Sequence, residues 1–298
     1  MDSNADFQTR FDENMTIGNI LAIKAIETII ETGVYKKDSY SQLVVLDDEA
    51  GITFGKNQTT ENGGGLHKLL TIYLTDNDLK NNMFGEKLKP FMDMLYDGSD
   101  RKKKFALTGN GDFKELLVEA AQRDRKMREA QRKHFHNNYF RPMYELSLDY
   151  NITLPLGLMV FYDMGIQSGP AYAKQLIDKF NREWMPPDKF DLDKDGEVDD
   201  REFTDEEELE LEQAWISGLI DFRLKFLLEF NSSRNPKFTL VVRRSSYRMY
   251  SMQSYASNGQ WDLSLPLTHQ NIHRYGRKKP YISSTELNEK IIREVELM

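Results

Sequence analysis

ETGVYKKDSYSQLVVLDDEAGITFGKNQ, residues 31–58, joins the end of a helix to a strand and a turn. Before it, Ile17 to Thr32 carries Ile20, Ile23, Ala25, Ile26, Ile29 and Ile30 at spacings that give a helix one apolar face. Gly33 stops that helix. Leu43-Val44-Val45-Leu46 predicts a short buried strand. It runs into the carboxylate cluster Asp47-Asp48-Glu49 and then a glycine-punctuated turn, Gly51-Ile52-Thr53-Phe54-Gly55. Glu31 at a helix end and Asp48 at a strand end are thereby set up to face each other. Glycoside hydrolysis needs two carboxylates in different environments, one protonated as acid and one ionised as base or nucleophile. Carboxylates at element ends are more often solvated or capping groups. On pattern alone Glu27 rivals Glu31, and Asp47 rivals Asp48.

The chain of 298 residues is long enough for one large domain or two lobes around a sizeable core. A net charge of -8 argues against a general nucleic-acid binder and is compatible with a polycationic substrate. Without cysteine there is no disulfide framework, thiolate zinc site or cysteine nucleophile. The polar, acidic start MDSNADFQTRFDEN does not read as a signal peptide, and no apolar run is long enough for a membrane span. Action outside the cell or in the periplasm then implies leaderless export, phage lysis or a leader already removed.

Residues 1–16 read as a flexible lead-in, and 17–298 as a single domain of two lobes, about 17–112 and about 113–298. Gly63-Gly64-Gly65 reads as a hinge before a helix carrying Leu66, Leu69, Leu70 and Tyr73; it lacks the ending of a phosphate loop. Residues 77–98 predict short helices, Arg101 to Lys104 a solvated connection, and 113–151 a long helix or two that Pro142 bends or restarts. His134 and His136 cannot share a helix face, which argues against a two-histidine metal site. Leu154 to Ser168 predicts a buried helix with Asp163 inside the apolar run, and a buried carboxylate requires a cation. Arg223, among Ile220, Leu224, Phe226 and Leu227, is the expected partner. Ser283-Ser284-Thr285-Glu286 predicts a capping box opening a last helix.

Residues 191–202 read DLDKDGEVDDRE. Asp191, Asp193, Asp195, Glu197, Asp199 and Glu202 fall on the ligand positions of an EF-hand-like calcium loop, Glu197 through its backbone carbonyl. Gly196 takes the sharp turn and Val198 is the apolar residue after it. Pro186-Pro187 break any entering helix, so a lone structural clamp is expected, not a paired sensor. No organic cofactor is implied.

Several stretches in order resemble the chitosanases of glycoside hydrolase family 46, in the lysozyme-like superfamily. They are Glu31 with Asp48, Gly51, Thr53 and Gly55; MREAQRKHFHNNYFRPMYELSLDYNI; LPLGLMVFYDMGIQSGP; WISGLIDFRLKFL; and NGQWDLSLPL before Tyr-Gly. The resemblance implies a mainly α-helical (α+β) lysozyme-like fold of two lobes, with a small antiparallel β-sheet in one lobe and a cleft between them. It implies Glu31 as general acid, Asp48 as general base with Thr53 helping to hold the water, and Asp163 with Arg223 as a supporting buried network. It also implies inversion, with carboxyl groups roughly 6.5–9.5 Å apart. Ala50 stands where these enzymes usually carry arginine, and the TFGKNQTT continuation and calcium loop are unlike them. These departures tip the expected polymer narrowly from chitosan to peptidoglycan, which shares the β-1,4 amino-sugar backbone. If the protein is a toxin effector, a cognate immunity protein or secretion machinery is its implied partner. The alternative is a calcium-dependent carbohydrate-binding or interaction protein without catalysis.

Overall fold

The computed structural model describes residues 19–20, 23–24, 26, 39–46, 50–56, 58–231, 239, 242–243, 245–267 and 288–289. It is mainly helical, with one small antiparallel sheet. The chain divides into two units, Val34–Phe140 and the remainder, Met1–Gly33 with Arg141–Met298. The division falls at 140/141 and not near 112, and the first unit keeps both helices that follow residue 110.

In the Val34–Phe140 unit, strands β1 (Leu43–Leu46), β2 (Gly51–Phe54) and β3 (Thr59–Thr60) pair in that order. The register sets Leu43 opposite Phe54 and Leu46 opposite Gly51. Residues 51–54 were expected as a turn; they form a strand because Ile52, Thr53 and Phe54 are β-prone and all buried. Only the two flanking glycines, Gly51 at a φ of 69° and Gly55 at 83°, keep the turn-like backbone. Helix α1 (Gly65–Thr75) buries Leu66, Leu69, Leu70 and Tyr73 on one face, as their spacing predicts. These join Ile52, Phe54, Phe113 and Leu117 in one core. The glycine triplet is a close-packed turn: Gly64 has φ 75°, and a Cβ on Gly63 would meet the Thr60 Oγ1 at 2.7 Å.

Helices α2 (Gly111–Arg123) and α3 (Arg125–Phe135) follow, capped by Asn110 and Asp124. A π-helical turn, His136–Phe140, then leads into α4 (Arg141–Asp149), so Pro142 restarts the helix at its second residue.

In the other unit, described residues 19, 20, 23, 24 and 26 are helical, with Ile20, Ile23 and Ile26 buried as expected. Helix α5 (Pro155–Ser168) is buried from Pro155 through Gly165, as its unbroken apolar sequence predicts. It packs against α4, α6 (Pro170–Glu183), α7 (Asp205–Glu229) and α8 (Ser246–Ser257). The approach of α4 is so close that a Cβ on Gly165 would meet Met143 Cγ at 2.4 Å. No helix among the described residues is long and apolar enough to cross a membrane.

Candidate functional site

Glu31, Asp48 and their rivals Glu27 and Asp47 lie outside the described residues, as does the capping box at 283–286. What surrounds them in sequence is described. On β2, Thr53 is 2% exposed and lies opposite Val44 and Thr60. Its hydroxyl is buried and makes no hydrogen bond. Such an orphan is uncommon in folded proteins.

The hairpin that carries Thr53 is braced from two sides. Glu61, which sequence reasoning missed, is fully buried. Its carboxylate accepts from the backbone N–H of Ile52 at 3.2 Å, the N–H of Leu107 at 2.8 Å and the Thr108 hydroxyl at 2.7 Å. Glu61 also donates its own N–H to the Ile52 carbonyl at 2.8 Å, so it extends the ladder and clamps it. On the other side Gln131 of α3 accepts from the Lys56 N–H at 3.1 Å and donates to the Tyr40 carbonyl at 2.9 Å. Gly55 is required beneath it: φ is 83°, and a Cβ would sit 2.3 Å from Gln131 Oε1. Nothing in the alternation of the sequence distinguished Glu61 from an ordinary turn glutamate, or Gln131 from a polar helix face.

His134 is fully buried beside Phe135 and Tyr139. Burial, reinforced by the charge of Lys68, pushes its pKa down to about 4, so the ring is neutral near pH 7. His136 lies in the π-turn, and no histidine-containing metal cluster occurs among the described residues.

In the larger unit Asp163 is fully buried, as its apolar surroundings required. Its direct partner is a different arginine from the expected one. Arg248 of α8 brings Nε within 3.0 Å of Asp163 Oδ1, as a charge pair that is not aligned as a hydrogen bond. Arg223 donates to Gln167 Oε1 at 2.7 Å and to the Ser168 hydroxyl at 2.8 Å. Its Nε and Nη1 are buried without hydrogen-bond partners. Burial pulls the Arg223 pKa below the ordinary guanidinium value, and Asp163 opposes that pull. Arg223 thus feels Asp163 through its charge, while the close ion pair is made by Arg248. Arg248 was obscured because it lies in a serine- and tyrosine-rich segment, whereas Arg223 stands in an apolar run.

The acidic loop lies between α6 and α7. Asp191, Asp193 and Asp195 place carboxylate oxygens all within 4.8 Å of one another. The side chains of Glu197, Asp199 and Glu202 are not part of that group. Glu202 precedes α7, which starts at Asp205 behind a Thr204–Glu207 capping box, so no helix carries it back to the loop.

The sequence model of glycosyl hydrolase family 46 matches residues 25–267. A comparison with curated proteins gave no match. Among solved structures, a mutant chitosanase from Bacillus subtilis complexed with 6 GlcN is 21% identical with a TM-score of 0.66, covering 89% of this chain and 99% of its own. The native chitosanase from Bacillus subtilis is 20% identical at a TM-score of 0.62, over 86% and 95% of the two chains. The GH46 chitosanase of Gynuella sunshinyii, in complex with chitotetraose, is 20% identical at a TM-score of 0.65, over 85% and 93%. The lysozyme-like fold expected from the sequence is therefore the fold of this chain. The chain belongs to glycosyl hydrolase family 46 and is a glycoside hydrolase.

Proposed function

We propose that the protein is an endo-acting, inverting hydrolase of β-1,4-linked glucosamine polymers, a chitosanase. Glu31 is the general acid that protonates the leaving oxygen, and Asp48 is the general base that activates water. Thr53 helps to hold that water, and Asp163, Arg223 and Arg248 form the buried network that supports the acid. The observation that carries this reading is the Thr53 hydroxyl, buried on β2 just beyond Asp48 with no partner of its own. A water poised for attack is the kind of partner that would satisfy it.

The glucosamine oligomers bound to the Bacillus and Gynuella proteins favour chitosan. The narrow preference for peptidoglycan drawn from Ala50, the TFGKNQTT continuation and the acidic loop has no such support, and we replace it. A polymeric substrate puts the site of action outside the cell or in the periplasm. The acidic loop at 191–202 is not needed for this chemistry.

The test is a mass-spectrometric product assay on chitosan and on purified peptidoglycan, run in parallel, with Glu31→Gln as control. Glucosamine oligomers appearing first as the α-anomer by NMR, and lost with Glu31→Gln while the fold is retained, are the expected result. Muropeptides alone would restore peptidoglycan as the substrate. A fully active Glu31→Gln would remove the assignment of the acid. Silence of the wild type on both polymers would favour a binding protein without catalysis, to which Ala50 already gives some support.

A further inference from the structure

The geometry points to a calcium site in the loop 191–199, built on Asp191, Asp193 and Asp195. Two independent observations lead there. The first is convergence: the three carboxylates present oxygens within 4.8 Å of one another. Calcium bonds oxygen at about 2.4 Å, so oxygens no farther apart than about twice that length can all contact one ion. The second is an orphan: Asp191 is 95% buried by its 5% exposure, and its Oδ1 has no hydrogen-bond partner. Its other oxygen accepts from the Gly196 N–H at 3.1 Å, which aims the carboxylate into the loop. A buried carboxylate oxygen left unpaired is unfavourable unless a cation meets it.

The backbone is already shaped around that point. The Asp195 N–H donates to Asp193 and the Glu197 N–H to Asp195, which holds these two exposed carboxylates against the backbone of consecutive turns. Gly196 has φ 90°, and a Cβ there would approach Met185 to 3.0 Å. Asp199 closes the loop by donating its N–H to the Phe190 carbonyl at 2.8 Å and by accepting the Leu192 N–H at 3.1 Å. Asp199 Oδ2 is also buried without a partner, which offers a fourth oxygen that reaches the ion through a water. The Glu197 carbonyl and solvent complete the set.

The site departs from the full EF-hand pattern at its end, because the glutamate that would chelate in a bidentate manner, Glu202, stays with the approach to α7. Affinity in such loops rises with ligand charge and rigidity, so this truncated set belongs to the weak class, with a Kd on the order of 10⁻⁵–10⁻³ M. Magnesium, which demands a smaller and near-octahedral shell, is disfavoured by an open loop of carboxylates. The ion's role is to tie the segment between α6 and α7 and not to touch substrate. The inference stands apart from the identity of the polymer.

The test uses the full chain stripped of divalent ions, titrated with calcium chloride by calorimetry and melted with and without it. The expected result is saturable heat in the stated range and a melting midpoint several degrees higher at millimolar calcium, by preferential binding to the folded state. The exposed Asp195→Asn retains the fold and is expected to weaken binding at least tenfold and to cancel the shift. An unchanged melt with no heat would overturn the site. So would an equal response to magnesium, or an Asp195→Asn protein that binds calcium as the wild type does.

Discussion

Among the described residues two carboxylates are fully buried, Glu61 in one unit and Asp163 in the other, and they are satisfied in opposite ways. Glu61 is met by two backbone N–H groups and a hydroxyl, each of which needs an acceptor itself. Asp163 is met by a guanidinium that is itself 97% buried by its 3% exposure, with a second arginine close behind. The first arrangement exchanges hydrogen bonds and fixes a hairpin. The second concentrates charge where a hydrophobic contact of the same volume would be as stable or more so. A buried ion pair of this kind is costly to break by removing one partner, whereas hydrogen bonds to neutral donors are lost one by one.

Substitution can break the comparison. Removing Asp163 with Asp163→Ala takes the carboxylate away from the buried Arg248 guanidinium, and unfolding in urea is expected to lose about 3–5 kcal/mol. Asp163→Asn should recover little of that, since the buried cation remains. Glu61→Ala leaves three donors without an acceptor, for a loss of about 3 kcal/mol at roughly 1 kcal/mol each. There Glu61→Gln should recover the part carried by Ile52 and Thr108, which share one oxygen, but not the Leu107 bond, where the amide nitrogen would face an N–H. If the two conservative variants behave alike, the distinction between the sites fails.

Protonation sharpens it. His134 is buried as a neutral ring in the same unit as Glu61, with its pKa lowered from 6.5 to about 4 by burial and by Lys68. The unfolded chain therefore takes up a proton first as pH falls, and stability is lost across the window from about 6.5 to about 4. At pH 5 the expected loss is about 2 kcal/mol, at 1.4 kcal/mol per pH unit. Urea curves of His134→Gln should be flatter over that window. The smallest effect on stability is expected at Thr53. Because its hydroxyl pairs with nothing, Thr53→Val should shift unfolding by under about 0.5 kcal/mol while turnover falls about tenfold. A loss of stability without loss of turnover would make Thr53 a packing residue.

Periodicity and polarity contrast made much of this legible. Ile20, Ile23 and Ile26 announced a helix face, and the apolar run around Asp163 announced both a buried helix and a buried charge. The same contrast failed where a residue's role depends on distant backbone. Glu61 is held by residues 107 and 108, and Arg248 reaches Asp163 from α8, so neither can be read from its own neighbourhood. Gly51 to Gly55 reads as a turn because its two glycines outweigh the three β-prone residues between them, which form the strand. The loop's carboxylates were legible by spacing, but the failure of Glu202 to join them depends on where α7 starts.

Helix α7 runs unbroken from Asp205 to Glu229, a rod of about 37 Å at 1.5 Å per residue. Its two ends are unlike. The first turn is four consecutive acids on the solvent side, secured by the Thr204 cap and Arg201, whereas Ile216 to Leu227 carries the buried face with Arg223. Such a rod opens from one end. Amide hydrogens near 205–212 should exchange with solvent long before those near 216–227, and a protease should nick the chain ahead of the helix without dislodging Arg223. The acidic loop thus sits at the fraying end, and the buried arginine at the end that melts last.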